Sequence, residues 1–298
     1  MSFVTRYLEP AFVERLNQLQ LSARSVVEGS ISGQHRSPVK GASVEFRQHR
    51  PYSEGDEPRR LDWRVLARTD RPYIKEYDEE TNLRCVVMLD CSGSMSYGSG
   101  QGKDGPTKFD YASKLVASLA YLMLSHSESA GLALCTGRVD QWVAPRAGTA
   151  QLSRVIDVLE RASPHGQANL ARAMQQVADR LGKRSLVIVI TDGFLPVAKL
   201  RPGLARLRHD RHETIILQIL DPDEIDFPFR TWTRFRGLES ERAELCEPAL
   251  MRKTYLDNFR RHQQDLRDTS RGLGVEFHSF VTDKPMIESI TTFLQRRA

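Results

Sequence analysis

Apolar runs alternate with amphipathic segments along most of this chain. Residues 83–90, 131–135, 185–191 and 214–220 are short and almost continuously apolar, the pattern of strands buried on both faces, and residues 275–281 read as a further strand that closes the sheet. Residues 108–126, 149–161, 170–181, 200–209, 248–271 and 285–295 instead carry apolar positions at helical spacing. Tyr111, Leu115, Leu119 and Leu122 form one such stripe, and Tyr255, Phe259 and Leu266 another. Residues 139–143 read as a hairpin partner for 131–135. This alternation predicts an α/β fold: a doubly wound, mostly parallel sheet with helices on both faces. Residues 221–247 break the rhythm and predict a hairpin insertion from strands at 231–236 and 240–246. Near the start, residues 10–24 read as a helix with Pro10 in its first turn. A polar, glycine-punctuated stretch follows over 28–41, and residues 43–47, 64–67 and 71–77 read as short strands. The expected division is an N-terminal helix with a small β-containing module over 1–80, then the α/β domain over 81–298.

Two of the apolar runs end in chemistry. Val86-Val87-Met88-Leu89 leads into Asp90, with Ser92 and Ser94 at alternate positions beyond it. A turn there would present one carboxylate and two hydroxyls, an all-oxygen set suited to a hard cation such as Mg²⁺. Serine and glycine are also ordinary turn residues, so a plain polar loop is the bland alternative. Far downstream, Leu186-Val187-Ile188-Val189-Ile190 ends in Thr191-Asp192-Gly193. Both motifs would lie at the carboxyl ends of strands, where open α/β sheets bind ligands.

Together these two motifs resemble the metal-ion-dependent adhesion site of von Willebrand factor A domains. The resemblance implies an Mg²⁺ shell built from Asp90, Ser92, Ser94 and Asp192, with one position left open for an acidic residue of a partner. It also implies a threonine from a second loop. The matching segment is Gly166-Gln167-Ala168-Asn169-Leu170, so Ala168 stands where that threonine is expected. Alanine offers no ligand atom. Asn169 or a water is the expected substitute, with Ser163 a lesser one. Mg²⁺ usually keeps several waters, so the loss should weaken binding without abolishing it.

A wider set of residues carries a second resemblance. His35-Arg36-Ser37-Pro38, Arg50-Pro51-Tyr52, Gly55-Asp56, Arg60-Leu61-Asp62-Trp63-Arg64 and Ala67-Arg68 precede the first motif. Tyr77-Asp78-Glu79-Glu80-Thr81-Asn82 lies just ahead of it, and Phe235-Arg236-Gly237-Leu238-Glu239 comes late in the chain. This series closely resembles domain-of-unknown-function family 58, whose members carry a von Willebrand A-like domain. The resemblance implies an adaptor or co-chaperone that works with a MoxR-type AAA+ ATPase on a client protein. The charges of the first module have two readings. They pair with one another to fasten the module, as Arg–carboxylate contacts do. Alternatively, Arg36, Arg50, Asp56, Arg60 and Trp63 form a partner-docking surface, since Trp and Arg are common interface anchors.

Charge and cysteine usage narrow the remaining classes. The formal net charge is +5, but the arginines are scattered or paired (Arg59-Arg60, Arg260-Arg261, Arg296-Arg297), which argues against nucleic acid. Cys85, Cys91, Cys135 and Cys246 show no zinc-site spacing. The charged first residues do not resemble a signal peptide and no apolar run has membrane-spanning length, so a cytoplasmic protein is expected, with no membrane insertion. The glycine-rich loop at 98–105 lacks the Gly-Lys-Ser/Thr of a phosphate loop. No His or Lys falls at the matched loop positions, and His165 beside the second loop reads as a surface residue. The expected function is therefore a non-catalytic, Mg²⁺-gated protein-interaction module. Its rivals are a metal-independent scaffold with a decayed site, and a Mg²⁺-dependent hydrolase.

Overall fold

The computed structural model describes residues 7–17, 19, 44–53, 61–79, 83–99, 106–182, 184–240 and 243–297. They form two compact units, residues 25–83 and residues 1–24 together with 84–298. The expected module of 1–80 therefore divides. Its helix α1 (Pro10–Leu16) belongs to the larger unit, where Leu16 is fully buried and Asn17 accepts a hydrogen bond from the Tyr121 hydroxyl at 2.7 Å.

In the smaller unit, β1 (Val44–Pro51) pairs antiparallel with β2 (Tyr73–Glu79). Between them lies α2 (Trp63–Thr69). A strand was expected over 64–67, and a helix is found because Asp62 caps it: its carboxylate accepts the Arg64 and Val65 amides at 3.0 and 3.3 Å. Asp70 closes the helix in the left-handed region at φ 54°.

The larger unit is built on a six-stranded sheet. Its strands are β3 (Arg84–Asp90), β4 (Ser129–Cys135), β5 (Val139–Arg146), β6 (Leu186–Thr191), β7 (Glu213–Leu220) and β10 (Glu276–Val281). Their order is β10-β7-β6-β3-β4-β5, parallel throughout except for β5, which pairs antiparallel with β4. Every residue of β6 is buried, as the continuous apolar run requires. The helices are α3 (Lys108–Ser125), α4 (Ala150–Glu160), α5 (Leu170–Leu181), α6 (Val197–His209), α7 (Pro222–Asp226), α8 (Pro248–Gly272) and α9 (Met286–Gln295). Val86, Met88, Val187 and Val189 pack in one core with α5 and α6. Val87 and Leu89, alternating with them, are equally buried and point to the opposite face, the side of α3, which also packs on β3. The doubly wound sheet with helices on both faces is as expected. The insertion is a hairpin of β8 (Thr233–Arg236) and β9 (Ala243–Cys246). Its Phe235 joins Phe227, Phe229 and Tyr255 in an aromatic cluster.

This topology places the two motifs. The chain runs from β3 outward to β4 and β5, then returns to β6 on the other side of β3. The strand order reverses between β3 and β6, and a crevice forms at such a point, beyond the carboxyl ends. Asp90 ends one of these strands and Thr191 the other.

Candidate metal centre

Asp90 is buried at the carboxyl end of β3. One of its oxygens accepts the Ser92 amide at 2.9 Å, which folds the following turn back over the strand. The other accepts the Thr191 hydroxyl from β6 at 2.7 Å. Thr191 in turn accepts the Gly193 amide at 3.0 Å, so one threonine ties both motif loops together. The turn continues as a short 3₁₀ segment over Gly93–Ser96, which brings the Ser92 and Ser94 hydroxyls to 3.1 Å from one another. Ser92 is buried and Ser94 half-buried. Burial first, and the Asp192 charge second, push the Asp90 carboxyl up to about 7, against the hydrogen bonds from Thr191 and Ser92.

The second loop reaches this turn through backbone bonds. The Gly93 amide donates to the Gly166 carbonyl at 3.0 Å, and the His165 amide to the Cys91 carbonyl at 2.8 Å. Ala168 offers only a methyl group. Asn169 is the N-cap of α5, and its side-chain oxygen accepts the Arg172 amide at 3.3 Å. That capping role competes with the expected role as a substitute ligand. Ser163 is exposed, and its carbonyl faces the His165 ring at 2.9 Å.

Asp192 has a partner that the loop motifs do not reveal. Its Oδ1 accepts the Phe194 amide at 3.1 Å, and its Oδ2 accepts the Lys108 ammonium at 2.8 Å. Lys108 is the first residue of α3 and is completely buried. The same ammonium donates to Glu224 at 2.6 Å and lies 5.0 Å from the centre of the Phe194 ring. Glu224 is held by the Asp221 amide at 2.8 Å, inside the capping box of α7. Burial works against the Lys108 charge, but Asp192 and Glu224 outweigh it and hold its pKa above the ordinary lysine value. Burial also lifts Glu224 to about 6, in spite of Lys108. A lysine at the start of a helix opposes the helix dipole, so its place there is set by the two carboxylates.

The hairpin insertion forms one wall of the site. A Cβ on Gly93 would run into the Leu238 carbonyl oxygen and lie 2.9 Å from its carbon. The Gln167 amide donates to the Glu239 carbonyl at 3.3 Å. The turn joining β8 and β9 therefore rests on the first and second loops together. On the side of Asp192, Phe194 is partly exposed and stacks near His262, whose ring faces the Gly193 carbonyl at 2.8 Å.

The chain belongs to the family described as "Protein of unknown function DUF58". The family model matches residues 48–265. An uncharacterized protein of Mycobacterium tuberculosis, Rv1480, is 26% identical over 298 residues, covering 97% of this chain and 90% of its own length. Among solved structures, BatB of Bacteroides thetaiotaomicron covers 72% of this chain and 98% of its own, with 12% identity and a TM-score of 0.46. The SpRpn10 VWA domain covers 72% and 95%, with 10% identity and a TM-score of 0.42. The expected family holds, and the mostly parallel α/β sheet is seen in the fold itself.

The donor set can be compared with the ion it would hold. Mg²⁺ sits at about 2.0–2.1 Å from its oxygens in octahedral geometry, which puts neighbouring ligand oxygens about 2.9 Å apart. The Ser92 and Ser94 hydroxyls, at 3.1 Å, have nearly that spacing. Each is neutral, so the negative charge of a filled site would have to come from Asp90. Among the described residues no group of three or more His, Cys, Asp or Glu side chains gathers as a metal cluster. A site on this edge therefore depends on hydroxyls and water as much as on carboxylates.

Of the other expected residues, Arg36, Asp56 and Arg60 lie outside the described ones. Arg50 is on β1, and Trp63 is 63% exposed at the start of α2. Cys91 is buried beside the site with its thiol pushed up to about 12, chiefly by burial, which leaves it unreactive as a nucleophile. Among the described residues no helix is long and apolar enough to cross a membrane.

Proposed function

We propose that this protein is a non-catalytic docking module that engages an acidic side chain of a protein partner at the carboxyl edge of its sheet, with Mg²⁺ as the bridge. The observation that carries this reading is the Ser92–Ser94 hydroxyl pair at 3.1 Å beside the buried Asp90. A bound dication supplies an unfilled coordination position that attracts a carboxylate in a partly dry site. Asp90 holds the charge, Ser92 and Ser94 orient neutral oxygens, and Thr191 fixes the Asp90 carboxylate through one oxygen. The β8–β9 turn at Leu238 narrows the approach from one side.

The partner proposed is a MoxR-type AAA+ ATPase, acting on a client protein, as the family resemblance implies. Absence of catalysis is supported by the engagement of the neighbouring basic groups: Lys108 is held between two carboxylates, and the His262 ring is taken up at the Gly193 carbonyl. The proposed location is the cytoplasm. A metal-independent scaffold is the second reading, favoured by Ala168 and by the Lys108–Asp192 pair, which already neutralises one carboxylate. The test is binding of a purified MoxR-type ATPase to immobilised protein, in Mg²⁺ and in EDTA, with Asp90→Ala alongside. Binding that disappears in EDTA and in the variant supports the bridge. Equal binding in all conditions gives the site to the scaffold reading.

A further inference from the structure

The buried Lys108 changes what Asp192 can do. In the adhesion-site pattern Asp192 belongs to the ion. In this protein one of its oxygens is bound to a fixed ammonium at 2.8 Å and the other to the Phe194 amide at 3.1 Å. The ammonium itself cannot swing away easily. It is fully buried, it is held from the far side by Glu224 at 2.6 Å, and its backbone amide donates to the Tyr97 carbonyl at 2.8 Å. Glu224 is fixed in turn by the Asp221 amide, and the Tyr255 hydroxyl donates to its carbonyl at 2.8 Å. The pair is thus the centre of a frame that joins α3, the β6 loop, α7 and α8.

We infer that Lys108 is a resident cation that withdraws Asp192 from the metal shell, leaving Asp90 as the one carboxylate of the centre. This rests on the proposed ion-binding reading and adds two consequences to it. With a single carboxylate against a dication, the loaded centre keeps a positive charge, while the ammonium is balanced by Asp192 and Glu224. Such a centre favours an anionic partner group over a neutral one. It also binds the ion weakly in the absence of a partner, because one negative ligand and the second-loop hydroxyl are both missing. Lys108 is a positioning residue in this account, since it acts through Asp192 and touches neither ion nor partner.

The test uses the full chain and Mn²⁺ as the probe, with free ion counted by electron paramagnetic resonance and the fold checked by circular dichroism. Asp90→Asn should abolish binding. Asp192→Asn should change affinity by less than about threefold, because Asp192 is already committed to Lys108. Lys108→Met should free Asp192 and tighten binding by about tenfold or more, an effect that Lys108→Arg should not reproduce. Mn²⁺ should also raise the melting temperature more in Lys108→Met than in the wild type. Should Lys108→Met not fold, Asp192→Asn decides alone: a loss as complete as that of Asp90→Asn overturns the assignment. Wild-type binding that Lys108→Met leaves unchanged overturns it while the ion reading stands. No wild-type binding but clear binding by Lys108→Met overturns the ion reading while Lys108 keeps its role. No binding by either overturns both.

Discussion

Replacing Lys108 with methionine in the metal-free protein should be costly, and the structure sets the scale. The substitution keeps the bulk of the side chain and removes only the ammonium. Asp192 and Glu224, with side chains 2% and 14% exposed, then face one another without their counter-charge. Removing one partner of a buried ion pair typically costs about 3–5 kcal/mol. Each carboxylate keeps one backbone donor, the Phe194 amide for Asp192 and the Asp221 amide for Glu224, so the lower end, about 3 kcal/mol, is expected. For a unit of this size that lowers the melting temperature by roughly 6–12 °C. The assay is thermal unfolding in EDTA at pH 8 and again at pH 5. The pH comparison has a definite sign. Burial lifts Glu224 to about 6 even against the pull of Lys108, so without Lys108 it is raised further and is protonated at pH 5, and more of it is ionised at pH 8. A protonated Glu224 no longer repels Asp192, and the penalty should shrink at pH 5. A loss below about 1 kcal/mol at pH 8, or an equal loss at both pH values, would refute the claim that the ammonium holds these carboxylates together.

Further substitutions probe the surrounding frame. Thr191→Val leaves an Asp90 oxygen and the Gly193 amide without their bond and should cost about 1–3 kcal/mol in urea denaturation, with no change if the threonine bridge is not real. Gly93→Ala drives a methyl group into the Leu238 backbone and should destabilise by about 1–3 kcal/mol; a neutral effect would mean the hairpin turn does not rest on this loop. Ala168→Thr restores the missing hydroxyl and should tighten Mg²⁺ binding modestly in calorimetry, whereas a gain from near zero would point to a decayed native site. His212 lies away from the centre and accepts the Ser185 amide at 3.2 Å, and burial holds its pKa below 6.5. The folded state therefore binds fewer protons there than the unfolded chain, and stability from this group falls as pH drops below 6.5. An NMR titration of the His212 ring with a midpoint at or above 6.5 would contradict this.

The sheet was legible because a parallel strand covered on both faces must be apolar almost throughout. Such runs at 185–191 and 214–220 admit little else. The motif positions followed, since the two motifs close the runs at 83–90 and 185–191. Lys108 was not legible. A lysine heading an amphipathic helix reads as an exposed residue, and its partners Asp192 and Glu224 are 84 and 116 residues away in sequence. The available signal was electrostatic: a cation at a helix N-terminus is out of place unless a carboxylate holds it there. The helix α2 was missed for a local reason. Trp63-Arg64-Val65-Leu66 has strand-like composition, and only the cap at Asp62 shows that the backbone turns. Asn169 was read as a spare ligand, but an Asn just before a helix is first of all a cap.

Asp90, Ser92 and Ser94 are proposed to hold a divalent ion together. Anomalous scattering from a crystal grown with Mn²⁺ tests it most directly. One peak is expected, bonded to the Ser92 and Ser94 hydroxyls on the Asp90 side, with Lys108 still seated on Asp192. A crystal with no peak at this turn, or with the ion bound to Asp192 and Lys108 displaced, would contradict it.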